Sequence, residues 1–194
     1  MQELIHNQLK VIHELFTEFN QVQGFYAEKS FELESRIFAF LNKLTDYFKD
    51  KGDQAKESEV LRITNMLHTV KRGFNPASLE KINTSKRELF WGFAYNGIEN
   101  LHTLLQEMHH KETLKLEEGE EILTNLILNL IQQGFLTDQK LQELDSISKI
   151  EAFWNYLLTQ NGSITLIHKK LLMKMISEDI YLLLEKIISK ITPH

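Results

Sequence analysis

Glutamate and histidine three residues apart recur three times in this chain: Glu3/His6, Glu99/His102 and Glu107/His110. On a helix such a pair shares one face, so a carboxylate and an imidazole can grip one metal ion. Di-iron bundles use that pair on two helices and add a glutamate from each of two others. With 21 glutamates and eight histidines in 194 residues, chance alone supplies about one such pair, so three is a mild excess. Polar residues on solvated or half-buried faces account for them, and no metal site is assigned.

A second constellation lies in the stretch LFWGFAYNGIENLH, residues 89–102. With Ile98 at zero on a wheel of about 100° per residue, Phe90, Ala94, Gly97, Leu101, Leu105 and Met108 fall between about 260° and 340°. Trp91, His102 and His109 fall on the shoulder of that arc, near about 20–40°, with Glu99 and Gln106 further round at about 80–100°. Trp91, Tyr95, Glu99, His102 and Gln106 are therefore the candidate ligand-binding residues, the polar wall of a pocket if one exists.

A third is a cationic stretch. From Val60 to Gly97 stand Arg62, Lys71, Arg72, Lys81, Lys86 and Arg87 against Glu80 and Glu88. Arginine holds phosphates and carboxylates bidentately, so Arg62, Lys71, Arg72, Lys86 and Arg87 form a candidate nucleic-acid or acidic-partner footprint. Overall charge leans the other way. The net charge is −5, and the excess of acid lies in residues 98–194, which carry 14 acidic and 9 basic side chains. A general nucleic-acid or anionic-membrane binder normally has the opposite sign.

No phosphate loop, dinucleotide glycine fingerprint, nucleophile elbow or His-Glu-x-x-His is present. No cofactor is expected. The chain has no cysteine, which removes disulfides, thiol catalysis and cysteine-ligated zinc. The segment MQELIHNQLK lacks the basic start and apolar core of a secretory signal. No apolar run approaches the ~18 residues of a membrane span. A cytoplasmic protein without membrane contact is the expectation.

The elements that must position these residues read as helices almost throughout. Apolar residues recur at spacings of three and four. Leu4, Leu9, Ile12, Phe16 and Phe19 mark a first helix. Phe31, Ile37, Phe38, Leu41, Leu44 and Phe48 mark a second, and Val60, Leu61, Ile63, Met66, Leu67 and Val70 a third. A helical segment from Pro76 to about His110 follows. Ile122 to Ile131 opens the next helix, and others lie near 138–147 and 149–160. The last runs from Ser163 to Ile191 with one broad apolar stripe.

Punctuation supports this reading. Gly-Phe pairs at 24–25, 73–74 and 134–135 resemble helix stops, in which a left-handed glycine is followed by an apolar residue folding back. Gly52 and Gly162 look like further stops. Asn75-Pro76 reads as a helix start, and Ser85-Lys-Arg-Glu88 as a capping box. Lys111–Gly119 is the longest expected loop. Across 85–110 the unbroken apolar stripe favours one continuous helix over two, with Gly97 as a close-packing position.

The expected fold is all-α, an irregular helical bundle of about seven or eight helices in a single domain, 1–194. The expected function is a non-catalytic protein–protein interaction or scaffold module that binds another protein or itself; the apolar last helix reads as central in the bundle, with packing against a second copy as the alternative. The alternatives are a nucleic-acid-binding regulator using the 62–87 region, and a small-molecule or metal-dependent site around Glu99 and His102.

Overall fold

A computed structural model describes residues 3–82 and 85–192 of the chain. Among them are eight helices and no strand: α1 (Ile5–Ala27), α2 (Leu33–Lys51), α3 (Gln54–Lys71), α4 (Lys86–Gln132), α5 (Asp138–Glu143), α6 (Ile147–Gln160), α7 (Gly162–Leu172) and α8 (Ser177–Ile191). None of the helices is long and apolar enough to cross a membrane. The chain divides into two compact units. One is Ile12–Met108; the other takes the described residues up to Val11 and from His109 onward. Helices α1 and α4 contribute residues to both.

In the 12–108 unit, Ile12, Leu15, Phe19 and Val22 of α1 repeat at spacings of three and four and are buried. They join Ile37, Leu41 and Leu44 of α2, Ile63 and Leu67 of α3, and Leu101 and Leu105 of α4 in one core. Helices α2 and α3 form a hairpin through two residues. Gly52 takes φ +68° and its amide donates to the carbonyl of Lys49, which ends α2. The Asp53 side chain then accepts from the amide of Lys56 and starts α3. This is a left-handed stop followed at once by an N-cap.

In the other unit, Leu123 and Ile127 of α4, Trp154 of α6, Leu171 of α7 and Ile180, Leu184 and Ile187 of α8 form a second core, which Ile5 also joins. Helix α6 packs on both α7 and α8.

Several local expectations are corrected. Residues 75–82 are not helical. Asn75 starts a tight loop instead: its side chain accepts from the amide of Ala77, its own amide donates to Glu80, and Phe74 bridges to Lys81. Asn-Pro carries both turn and helix-start chemistry, and here the turn prevails. Gly24 lies inside α1, with a helical φ, rather than beyond it. Gly162 is the first residue of α7, not a left-handed stop; Asn161 caps it by accepting from Ser163. Gly73 and Gly134 do take the left-handed conformation, at φ +89° and +71°.

Lys111–Gly119 is not a loop but the middle of α4. Lysine, glutamate and leucine are strong helix formers, so polarity does not interrupt the helix, and Gly119 stays within it where Met175 and Leu183 approach its backbone. The expected last helix, 163–191, is two helices with a turn at residues 173–176. Phe31 lies outside α2 and is 85% exposed. It stands six residues before Ile37, which puts it about 120° off the apolar stripe.

Helix α4 runs unbroken through residues 85–110, as the stripe predicts. Phe90, Ala94, Gly97, Leu101, Leu105 and Met108 are all buried. A β-carbon at Gly97 would stand 3.3 Å from Cγ2 of Ile63, so the missing side chain admits α3 closely. Gly92 differs, because a β-carbon there meets nothing within 4 Å. At Gly119 it would come 2.5 Å from Cε of Met175 and 3.1 Å from Cδ1 of Leu183. Two alanine substitutions in one helix should therefore act in opposite directions. Gly92→Ala is expected to stabilise by about 1 kcal/mol through backbone entropy. Gly119→Ala should destabilise by about 1 kcal/mol net, because buried Met175 and Leu183 must move. Urea denaturation of the two variants decides this; shifts of the same sign would contradict it.

Candidate functional site

The site is built at helix ends. Helix α1 stops at Ala27, and Lys29 takes φ +52°, unusual for a residue with a side chain. Its amide donates to the Tyr26 carbonyl and that of Ser30 to the Phe25 carbonyl, which closes the end of the helix. This fold-back leaves Phe31 on a short connection to α2. Arg87, in the first turn of α4, lays its guanidinium over the Phe31 ring at 4.1 Å from the centroid. An Nη2–H of Arg87 donates to the Lys29 carbonyl at 3.2 Å. A guanidinium stacked on an arene and anchored by a carbonyl is a cation–π arrangement with little freedom left.

Lys71, the last residue of α3, pairs with Glu34 of α2. The Lys86 side chain passes over Gly73, where a β-carbon would lie 3.4 Å from its Cε. Trp91 is half-buried; its ring centroid is 5.1 Å from that of Tyr26, and Tyr26 is 6.2 Å from Tyr95. Two clefts result. One, of about 280 Å³, is lined by residues including Phe31, Glu34, Lys71, Lys86, Arg87 and Trp91. The second, of about 540 Å³, is lined by Tyr26, Lys29, Ser85, Arg87, Glu88 and Trp91. Arg87 and Trp91 belong to both.

The structure thus brings together residues that the sequence assigned to separate sites. Trp91 comes from the ligand-binding set, and Lys71, Lys86 and Arg87 from the nucleic-acid set; Tyr95 is exposed and lines neither cleft, touching the site only through the Tyr26 ring. The rest stand apart. Glu99 and Gln106 are exposed and line neither cleft. His102 is half-buried with its ring stacked on Phe19, 5.9 Å between centroids and 11° between planes, as an amphipathic boundary residue would be. Arg62 lines a different groove, with Met66, Pro76 and Phe93. Arg72 is exposed at the C-cap of α3. Among the described residues no group of three or more histidines and carboxylates is placed to hold a metal ion. The site residues absent from the sequence-based candidates include Tyr26, Lys29, Phe31, Glu34, Ser85 and Glu88. Ser85 and Glu88 carried a helix-start signal, and Phe31 a position off the apolar stripe.

Titratable groups with displaced pKa values lie in the other unit, each with a structural cause. Hydrogen bonds from Lys186 and Lys190 lower Glu120. Burial, with Glu151 and Glu178 nearby, raises Tyr181. Burial lowers His168 below its ordinary 6.5. The Trp154 indole N–H donates to Nδ1 of His168 at 3.1 Å, which requires that nitrogen to be unprotonated. The unfolded chain then takes up this proton more readily than the folded one. Stability should fall as pH drops through about 6.5 towards the folded-state value, and be unaffected by this group above it. Unfolding free energies across that window should lose part of their slope in His168→Gln; an unchanged slope would assign the dependence to other groups.

No family model, curated protein sequence or solved structure matches this chain.

Proposed function

We propose that the chain is a non-catalytic helical interaction module that docks a protein partner on the outer face of α7. What supports this reading is the exposure of Leu166 on α7 and of Met173, the C-cap residue just past its end, at 67% and 83% and seven residues apart. Apolar anchors at i and i+7 are the pattern by which a helix enters a groove. Lys169 and Lys170 lie exposed between them, so the fitting partner has an apolar groove rimmed by carboxylates. A symmetric pairing of two copies through this face would set the lysines of one copy against those of the other, which opposes self-association there. A cytoplasmic setting belongs to the same proposal and rests on the cysteine-free composition.

A photo-crosslinker placed at Leu166 should trap one defined partner, and Met173→Asp should abolish the adduct. Equal labelling from a crosslinker at Ser148 would overturn the reading. Light scattering across a concentration series addresses self-association separately, and a strict monomer removes it.

A second reading, contact with nucleic acid, is favoured by the Arg87–Phe31 stack beside Trp91. It predicts retention of a single strand that weakens steeply with salt and is reduced in Arg87→Ala. No retardation at low salt would remove it.

A further inference from the structure

We propose that the two clefts sharing Arg87 and Trp91 form one site for a nucleotide unit, a planar heteroaromatic ring carrying a phosphate. The proposal rests on the second reading above and specifies the chemical unit recognised.

Charge selects an anion. The clefts are lined by four cations, Lys29, Lys71, Lys86 and Arg87, and two carboxylates, Glu34 and Glu88, on a chain whose net charge is −5. One carboxylate is already neutralised, because Glu34 pairs with Lys71. Lys86 has no ion-pair partner among the described residues, and Arg87 spends one N–H on the Lys29 carbonyl. Arg87 forms no ion pair among those residues. Lys86 and Arg87, adjacent in the first turn of α4 and both lining the smaller cleft, are the pair that would hold a phosphate.

Aromatic surface selects a ring. Phe31 carries the guanidinium on one face yet is 85% exposed, so its other face is open as a stacking platform. Trp91 stands at the edge of both clefts, supported by Tyr26. Exposed aromatics beside cations are how proteins take unpaired bases without reading their edges. An acidic peptide or inorganic phosphate would satisfy the cations and leave Phe31 and Trp91 unused. The smaller cleft, about 280 Å³, lies just below the usual range for small-molecule sites, which begins at about 300 Å³, so it suits one small unit and not a folded domain.

The same chemistry has two sources, a free nucleotide or one residue of a single strand, and the test separates them. The chain has two tryptophans. Trp154 is fully buried in the other unit, so the Trp154→Phe chain reports from Trp91 alone. Adenosine monophosphate, a ten-residue single-stranded DNA, adenosine, inorganic phosphate and an oligoglutamate peptide are titrated in turn. Calorimetry on the unsubstituted chain repeats each titration, in case the Phe variant folds poorly.

Saturable quenching by the monophosphate, at least tenfold tighter than by adenosine or phosphate, supports the proposal and assigns a free nucleotide. Saturation by the strand alone supports it and assigns a residue of a strand. In either case Lys86→Glu and Arg87→Glu should weaken binding at least tenfold, and Arg62→Glu, outside both clefts, should change it less than twofold. Tight binding of oligoglutamate, or no saturation by either nucleotide probe, overturns the proposal. Strand retention lost in Arg62→Glu but kept in Arg87→Glu would overturn this site and its Arg87 basis, and move nucleic-acid contact to the groove that Arg62 lines.

Discussion

Replacing Asp179 by alanine is expected to destabilise the fold by roughly 3 kcal/mol, the combined loss of a helix cap and of partners for buried amides. Asp179 is fully buried. Its carboxylate oxygens accept from the amide of Ile5 at 3.1 and 3.2 Å, and Oδ1 lies 3.3 Å from Nδ1 of His6. Oδ2 also accepts from the amide of Ile176 at 3.4 Å, at the start of α8. One side chain thus serves the first turns of two helices, each of which would otherwise leave amides unpaired. Alanine removes every acceptor at once, whereas asparagine keeps one and should cost roughly half as much. Denaturant midpoints measure the loss. Hydrogen exchange at the Ile5 amide locates it, and protection unchanged in Asp179→Ala would show that the amide has another partner.

Trp154→Ala should cost more, about 3–5 kcal/mol, because the indole is the largest fully buried side chain and its removal leaves a cavity that rigid helices fill poorly. It stands on α6, which packs on both α7 and α8. The same change strips Nδ1 of His168 of its donor. Trp154→Phe keeps most of the volume but loses the N–H and part of the bicyclic ring, so an intermediate loss of about 1–2 kcal/mol is expected. Circular dichroism during urea unfolding, which needs no tryptophan, compares the two. A loss in the alanine variant no larger than in the phenylalanine variant would mean that the site collapses around the gap.

Much of the fold was legible from short-range patterns. Periodicity placed the apolar faces of α1 to α4, and the left-handed glycines at 52, 73 and 134 mark where the chain turns. Continuity of α4 through Gly92 and Gly97 followed from one stripe without a register shift. Three readings failed for a common reason. Gly24, Asn75-Pro76 and Lys111–Gly119 each carry local chemistry compatible with two conformations, and packing or a competing turn decided between them. The break at residues 173–176 had no glycine or proline to announce it. There Asp179 caps α8 while it binds the amide of Ile5, a partner 174 positions away.

The candidate site followed the same division. By itself the sequence determined that the chain is helical, that its cations concentrate between Arg62 and Arg87, and that Trp91 and Tyr95 sit on the shoulder of a core stripe. Those are properties of spacing, and a helix converts spacing directly into a face. Only the tertiary structure decided that Arg87 covers Phe31 and binds the Lys29 carbonyl 58 positions away, and that Lys71 and Lys86 line the same cleft as Trp91. Each of these residues except Trp91 lies at or beside the end of a helix. Periodicity fixes which way a side chain points from its own helix; which ends meet depends on how the helices pack.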